Sequence, residues 1–98
     1  MRIVCGTDFS LQAAEAANVA AMIATRLGET VVLAHVIEID GLEARYPGIG
    51  DSVLARLKEK LHNEAERLRK LGPTVKEELL TGSPFEKLVE VGQRFRRA

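Results

Sequence analysis

The sequence predicts an α/β domain, a three-stranded parallel sheet with flanking helices in the order βαβαβα. Three observations carry that prediction. Strand-like and helix-like segments alternate along the 98 residues, and strands joined through helices make right-handed crossovers onto parallel neighbours. The segment Thr30–Ile37 (TVVLAHVI) is apolar on both faces, as in a strand covered by helices above and below. Helix starts and stops fall where the alternation needs them: Ser10 and Ser83 stand before helical periods, Gly28 and Gly72-Pro73 after them.

The elements follow in order. Ile3-Val4-Cys5 is a short apolar run closed by Gly6 and reads as a buried strand. Thr7-Asp8-Phe9-Ser10 is a polar turn, with Ser10 placed to cap the next segment. Leu11 to Leu27 holds seven alanines and neither Gly nor Pro, so its helix propensity is high. Ala16, Val19, Ala20, Ile23 and Leu27 share one face at helical spacing and are the expected contact with the sheet. Gly28 stands where a left-handed C-cap belongs. After the central strand, Glu38 to Gly50 carries Gly41, Pro47, Gly48 and Gly50 and reads as a long loop of the kind that often lines a site. Asp51 or Ser52 then caps a second helix reaching Leu71, with Val53, Leu54, Leu57, Leu61, Ala65, Leu68 and Leu71 as its stripe. Lys58, Glu59, Asn63, Glu66, Arg67 and Lys70 are expected on its wet face, Glu66 pairing with Lys70. Thr74 to Thr81 (TVKEELLT) is a third strand whose Lys76, Glu77 and Glu78 suit an edge, where charge discourages further pairing. In Gly82-Ser83-Pro84-Phe85-Glu86, Ser83 caps a third helix, Pro84 takes its first position and Glu86 closes a capping box. Phe85, Leu88, Val89, Gly92 and Phe95 give that helix its apolar face.

Composition excludes several functions. Fourteen basic residues balance fourteen acidic ones, so there is no surplus for neutralising nucleic-acid phosphates or an anionic membrane. No apolar run approaches the length of about 18 residues that spans a bilayer. The chain has one cysteine, Cys5, which makes neither an internal disulfide nor a zinc site and fits a cytoplasmic setting.

In open α/β sheets, ligands bind beyond the carboxyl ends of the strands. Here those ends are Gly6-Thr7-Asp8, the stretch after Val36, and Gly82-Ser83. The Asp8 carboxylate can accept hydrogen bonds from ribose hydroxyls or help hold magnesium. It can equally close an Asx turn on nearby backbone N–H groups. Val36 can offer backbone groups to a base edge. Ser83 reads first as a helix cap, with an anion at that N-terminus as the alternative. His35 reads as a satisfied core histidine and His62 as a solvated one; neither has a ligand partner at metal-site spacing. Cys5 reads as a small buried hydrophobe, and Arg94, Arg96 and Arg97 as a solvated helix end. No Ser-His-Asp or Cys-His set assembles and no GxGxxG or GxxxxGK[ST] motif occurs, so the chain is not expected to be an enzyme.

Ile3-Val4-Cys5-Gly6-Thr7-Asp8-Phe9-Ser10, the alanine-rich helix, Val32-Leu33-Ala34-His35-Val36 and the Gly82-Ser83-Pro84 segment with Glu86, Leu88, Val89 and Val91 together resemble the universal stress protein family. The match keeps the family's order and spacing over essentially all 98 residues. The resemblance implies a single domain over 1–98 that forms the N-terminal part of an adenine-nucleotide alpha-hydrolase-like doubly wound fold, whose full sheet has the order 3-2-1-4-5. It also implies stress-response or signalling work, usual dimerisation, and binding of ATP or AMP with magnesium. By that resemblance Asp8 corresponds to the aspartate near the ribose and phosphates, Thr7 neighbours it, and Val36 matches the residue whose backbone meets the adenine. The family's fourth strand, glycine-rich phosphate loop (G-x-x-G followed by G-[ST]) and fifth strand have no counterpart here. That departure leaves the first strand with an open apolar edge and implies impaired nucleotide binding. The edge is explained by a longer parent protein, a natural truncation, or a second chain completing the sheet; the last is expected if these residues fold alone. A non-nucleotide interaction module using that edge is the alternative function.

Overall fold

The computed structural model describes residues 2–37, 45–81 and 90–93. It contains strand β1 (Arg2–Gly6), helix α1 (Leu11–Leu27), strand β2 (Thr30–Ile37), helix α2 (Gly50–Arg69) and strand β3 (Thr74–Thr81). Residues 90–93 are helical. The start of the expected third helix, at Ser83 to Glu86, lies outside the described residues.

The sheet has the order β1-β2-β3, and both pairs are parallel. Ile3 stands beside Val31 and Cys5 beside Leu33; Val31 in turn stands beside Val75. The central strand behaves as its two apolar faces require: Val31, Val32, Leu33 and Ala34 are fully buried. One face of the sheet packs on α1 and α2, joining Cys5, Val31, Leu33 and Val75 to Ala17, Ala21, Ala24, Leu61, Ala65 and Leu68. At the expected edge, β3 carries Lys76, Glu77 and Glu78.

The ends of α1 form as expected. The Ser10 Oγ accepts the Ala13 N–H at 3.1 Å, and Gly28 ends the helix in the left-handed region at φ 67°, where a side chain would cost about 1–2 kcal/mol. The buried face of α1 differs from the expected one. Ala17, Ala21 and Ala24 meet the sheet, while Val19, Ile23 and Leu27 are exposed. Alanine lets the helix axis approach the strands closely, so the smaller face is drawn inward and the larger one is turned aside.

Three readings of α2 also change. The helix begins at Gly50 and its cap position is Ile49, without a side-chain bond; Asp51 lies inside the first turn, where its charge still suits the helix dipole. The helix ends at Arg69, leaving Leu71 exposed. Glu66 pairs with Arg69 at 2.6 Å, one residue short of the expected Lys70. Arg67 is no solvated side chain. Its guanidinium reaches Glu64 at 2.6 Å, the Asn18 Oδ1 at 2.6 Å and the Ala14 carbonyl at 3.4 Å, fastening α2 to α1.

Candidate functional site

The end of β1 is turned sharply into α1 by four residues that satisfy one another. The Thr7 N–H continues the sheet by donating to the Ala34 carbonyl at 2.8 Å. The Thr7 Oγ1 accepts the Phe9 N–H at 3.0 Å, and the Asp8 Oδ1 accepts the Ser10 N–H at 2.9 Å. These local bonds hold Phe9 at φ 64°, a left-handed conformation that a bulky residue adopts only when its surroundings impose it. Phe9 lies against the His35 ring with centroids 4.6 Å apart, and the Lys60 Nζ sits 5.8 Å from its ring centre.

His35 fixes the turn from the neighbouring strand. Its Nδ1 lies 2.6 Å from the Thr7 carbonyl oxygen. A carbonyl only accepts, so the ring carries a proton on Nδ1, and the neutral ring keeps Nε2 as an acceptor. The histidine is thus satisfied, as expected, but it is half-buried at the site and not sealed in the core.

Gly6, Thr7, Asp8, Ser10, Gln12, Ala13, Ala34, His35 and Val36 line a cleft of about 470 Å³ that opens to solvent. Its size is that of small-molecule sites, and it lies beyond the carboxyl ends of β1 and β2, where such folds bind ligands. Thr7, Asp8 and Val36 all border it. Thr7 is buried, the only polar side chain so placed among the described residues. Asp8 is exposed and closes the Asx turn through Oδ1, leaving Oδ2 for other partners. Hydrogen bonds from Ser10 hold its carboxyl below the usual aspartate range, so it faces the cleft as an anion at neutral pH. The sequence reading gave no part in the site to His35, Ser10 or Gln12. The signal for His35 was its place one residue before Val36 at the end of a parallel strand; Gln12 carried none.

The other polar cluster lies far along the sheet. Glu77 receives His62 at 3.0 Å and Arg69 at 2.9 Å. Burial pushes the Glu77 carboxyl up, but these two partners outweigh it and hold the group below the ordinary glutamate value. His62, expected to be merely solvated, is therefore tied to β3. Cys5 is a free, buried thiol, and burial, followed by the Glu64 charge, pushes it up, away from the reactive thiolate. Among the described residues no group of three or more His, Cys, Asp or Glu is placed to hold a metal ion, and no helix is long and apolar enough to cross a membrane.

The universal stress protein family profile matches residues 1–95. No curated protein matches the chain. Among solved structures it is similar to the protein MJ0577, at 27% identity and a TM-score of 0.80 over 95% of this chain and 66% of that one. It is similar to a universal stress protein from Archaeoglobus fulgidus, at 25% identity and 0.78 over 96% of this chain and 67% of that one. A universal stress protein in complex with cAMP shares the fold at 21% identity and 0.77, over 98% of this chain and 66% of that one. The chain thus spans 66% of the length of the first of these relatives.

Proposed function

Because the chain belongs to the universal stress protein family, we propose that it is a non-enzymatic, cytoplasmic stress-response protein that takes an adenine nucleotide weakly and assembles with copies of itself. The observation that carries the nucleotide reading is the convergence of Thr7, Asp8 and Val36 on one cleft. A ribose hydroxyl donates to the free Asp8 oxygen, and the end of β2 at Val36 offers backbone groups to the base. The His35 Nε2, in the neutral ring, adds an acceptor that favours a hydroxyl or amino group over a phosphate. The N-terminus of α1 borders the cleft through Ser10, Gln12 and Ala13 and is the one feature there that favours negative charge.

The same cleft explains why binding is weak. None of its lining residues is Lys or Arg, so a triphosphate gains no charge-assisted partner in it. Magnesium fits only as a companion of the nucleotide, since Asp8 is a lone carboxylate among the lining residues. Calorimetric titration with AMP, ATP and MgATP tests this. The expected result is binding in the range of roughly tens of micromolar or weaker, with AMP and ATP within a few-fold of each other, and a loss on Asp8→Ala. Submicromolar binding of MgATP overturns the weak-binding reading. No binding of either nucleotide at millimolar concentration favours the second reading, an interaction module, which rests on the exposed apolar face of α1.

A further inference from the structure

The β1 side of the molecule leaves two unfinished surfaces next to each other. One is the second apolar face of α1. Ala16, Val19, Ile23 and Leu27 lie roughly 100° around the helix axis from the buried alanines, with Val19 55%, Ile23 45% and Leu27 64% exposed. On the other side of α1, Ala14 and Asn18 are held by Arg67 of α2, so this stripe points away from α2 and over the outer edge of β1. The second surface is that edge. The Thr7 N–H points to β2, and strand alternation turns the N–H and C=O of Val4 outward. No strand of the described residues pairs there.

We propose that the two surfaces are one interface, and that a second copy of this chain occupies it. The copies are related by a twofold axis through Val4, perpendicular to the sheet. That operation sets β1 antiparallel to the partner's β1 and keeps both α1 helices on the same side. Val4 then meets its own copy as a doubly hydrogen-bonded pair. Strands about 4.8 Å apart, each with a helix seated over its first strand pair, bring the two helix axes about 10 Å apart, a normal packing distance.

The level along the axis agrees. From Asp8 back to Val4 is about 13 Å of strand, which α1 covers in about nine residues from Leu11, reaching the region of Ala20. The seam Ala16, Ala20, Ile23, Leu27 has the 4-3-4 spacing of a packed helix pair, and its centre falls between Ala20 and Ile23. One axis therefore serves strand and helix. It sets Ala16 against Leu27 and Ala20 against Ile23, small against large.

Charge selects a second copy over another partner. Glu15 and Arg26 are exposed, stand towards opposite ends of the stripe's upper rim, and have no ion pair among the described residues. Antiparallel helices bring each Arg26 towards the Glu15 of the other copy, twice per dimer. A surface complementary to itself in both shape and charge fits its own copy.

This inference rests on the assembly reading above, and its test separates the two. Sedimentation of the 98-residue chain is expected to show a monomer–dimer equilibrium in the micromolar range. Ile23→Asp, at an exposed position, keeps the circular dichroism of the parent and weakens the dimer by about 100-fold or more. Glu15→Lys and Arg26→Glu each weaken it by about tenfold, because both contacts become repulsive. Mixing those two variants restores affinity, since every contact in the mixed dimer again joins opposite charges. A parent chain that stays monomeric, its stripe covered by another protein or by none, overturns both the interface and the assembly reading. A dimer indifferent to Ile23→Asp, or unrestored by mixing the charge variants, overturns this interface alone.

Discussion

At the β3 flank the edge strand carries Lys76, Glu77 and Glu78, and α2 above it is tied down by Arg69 and His62 meeting at Glu77. At the β1 flank the edge strand is Arg2-Ile3-Val4-Cys5-Gly6, and α1 above it exposes Val19, Met22, Ile23 and Leu27. Both helices lie on the same face of one sheet and bury comparable inner faces. They differ in what they show outward. Charge along an edge discourages further pairing, and contiguous exposed apolar side chains mark contact with another molecule. One flank is finished against water, the other against protein.

Four substitutions break or sharpen that contrast. The largest effect is expected where the finished flank meets the core. Leu68 is fully buried, and Leu68→Ala should lower the stability in urea by about 3 kcal/mol. The matching truncation on the other flank, Ile23→Ala, should change monomer stability by no more than about 0.5 kcal/mol. A large loss there would mean that the stripe is already packed within one chain. Next comes the joint between the flanks. Gly72 follows α2 with φ 121°, and an added Cβ would lie 3.1 Å from the Thr25 Cγ2 and 3.2 Å from its Oγ1. Gly72→Ala should therefore cost about 2 kcal/mol, read as a lowered melting temperature.

Ser10→Ala removes the cap of α1 and should cost about 1 kcal/mol. The same change should raise the Asp8 carboxyl towards its ordinary value, visible in an NMR titration, because Ser10 is the main group holding it down. The smallest effect belongs to Glu77→Gln, below about 1 kcal/mol for a partly exposed pair. Its sign with pH is fixed. The folded-state value of Glu77 is depressed, so its contribution is fully present above about pH 4.3, the ordinary glutamate value. It is lost as the pH falls through the lower folded value. The variant should therefore lose stability relative to the parent at neutral pH and match it in strong acid, in denaturation curves run at both.

The strand and helix segments, the Ser10 cap, the Gly28 stop and the charged edge could be read from the residues because each depends on neighbours within about four positions. Thr7, Asp8 and Val36 could be named from their places at strand ends. That they border one cleft depends on the register that sets Gly6 beside Ala34. Arg67 looked like any solvated arginine, since Asn18 lies 49 positions away in the chain.

The composition of α1 determined that it would be a helix with apolar residues around much of its circumference. Which part of that circumference met the sheet was decided only in three dimensions. Helical spacing marks Ala16, Val19, Ala20, Ile23 and Leu27 as a plausible inner face just as it marks Ala17, Ala21 and Ala24. Choosing between them takes the close approach of helix to sheet and the Arg67 clamp from α2. Those are contacts between distant parts of the chain, and periodicity along one segment carries no information about them.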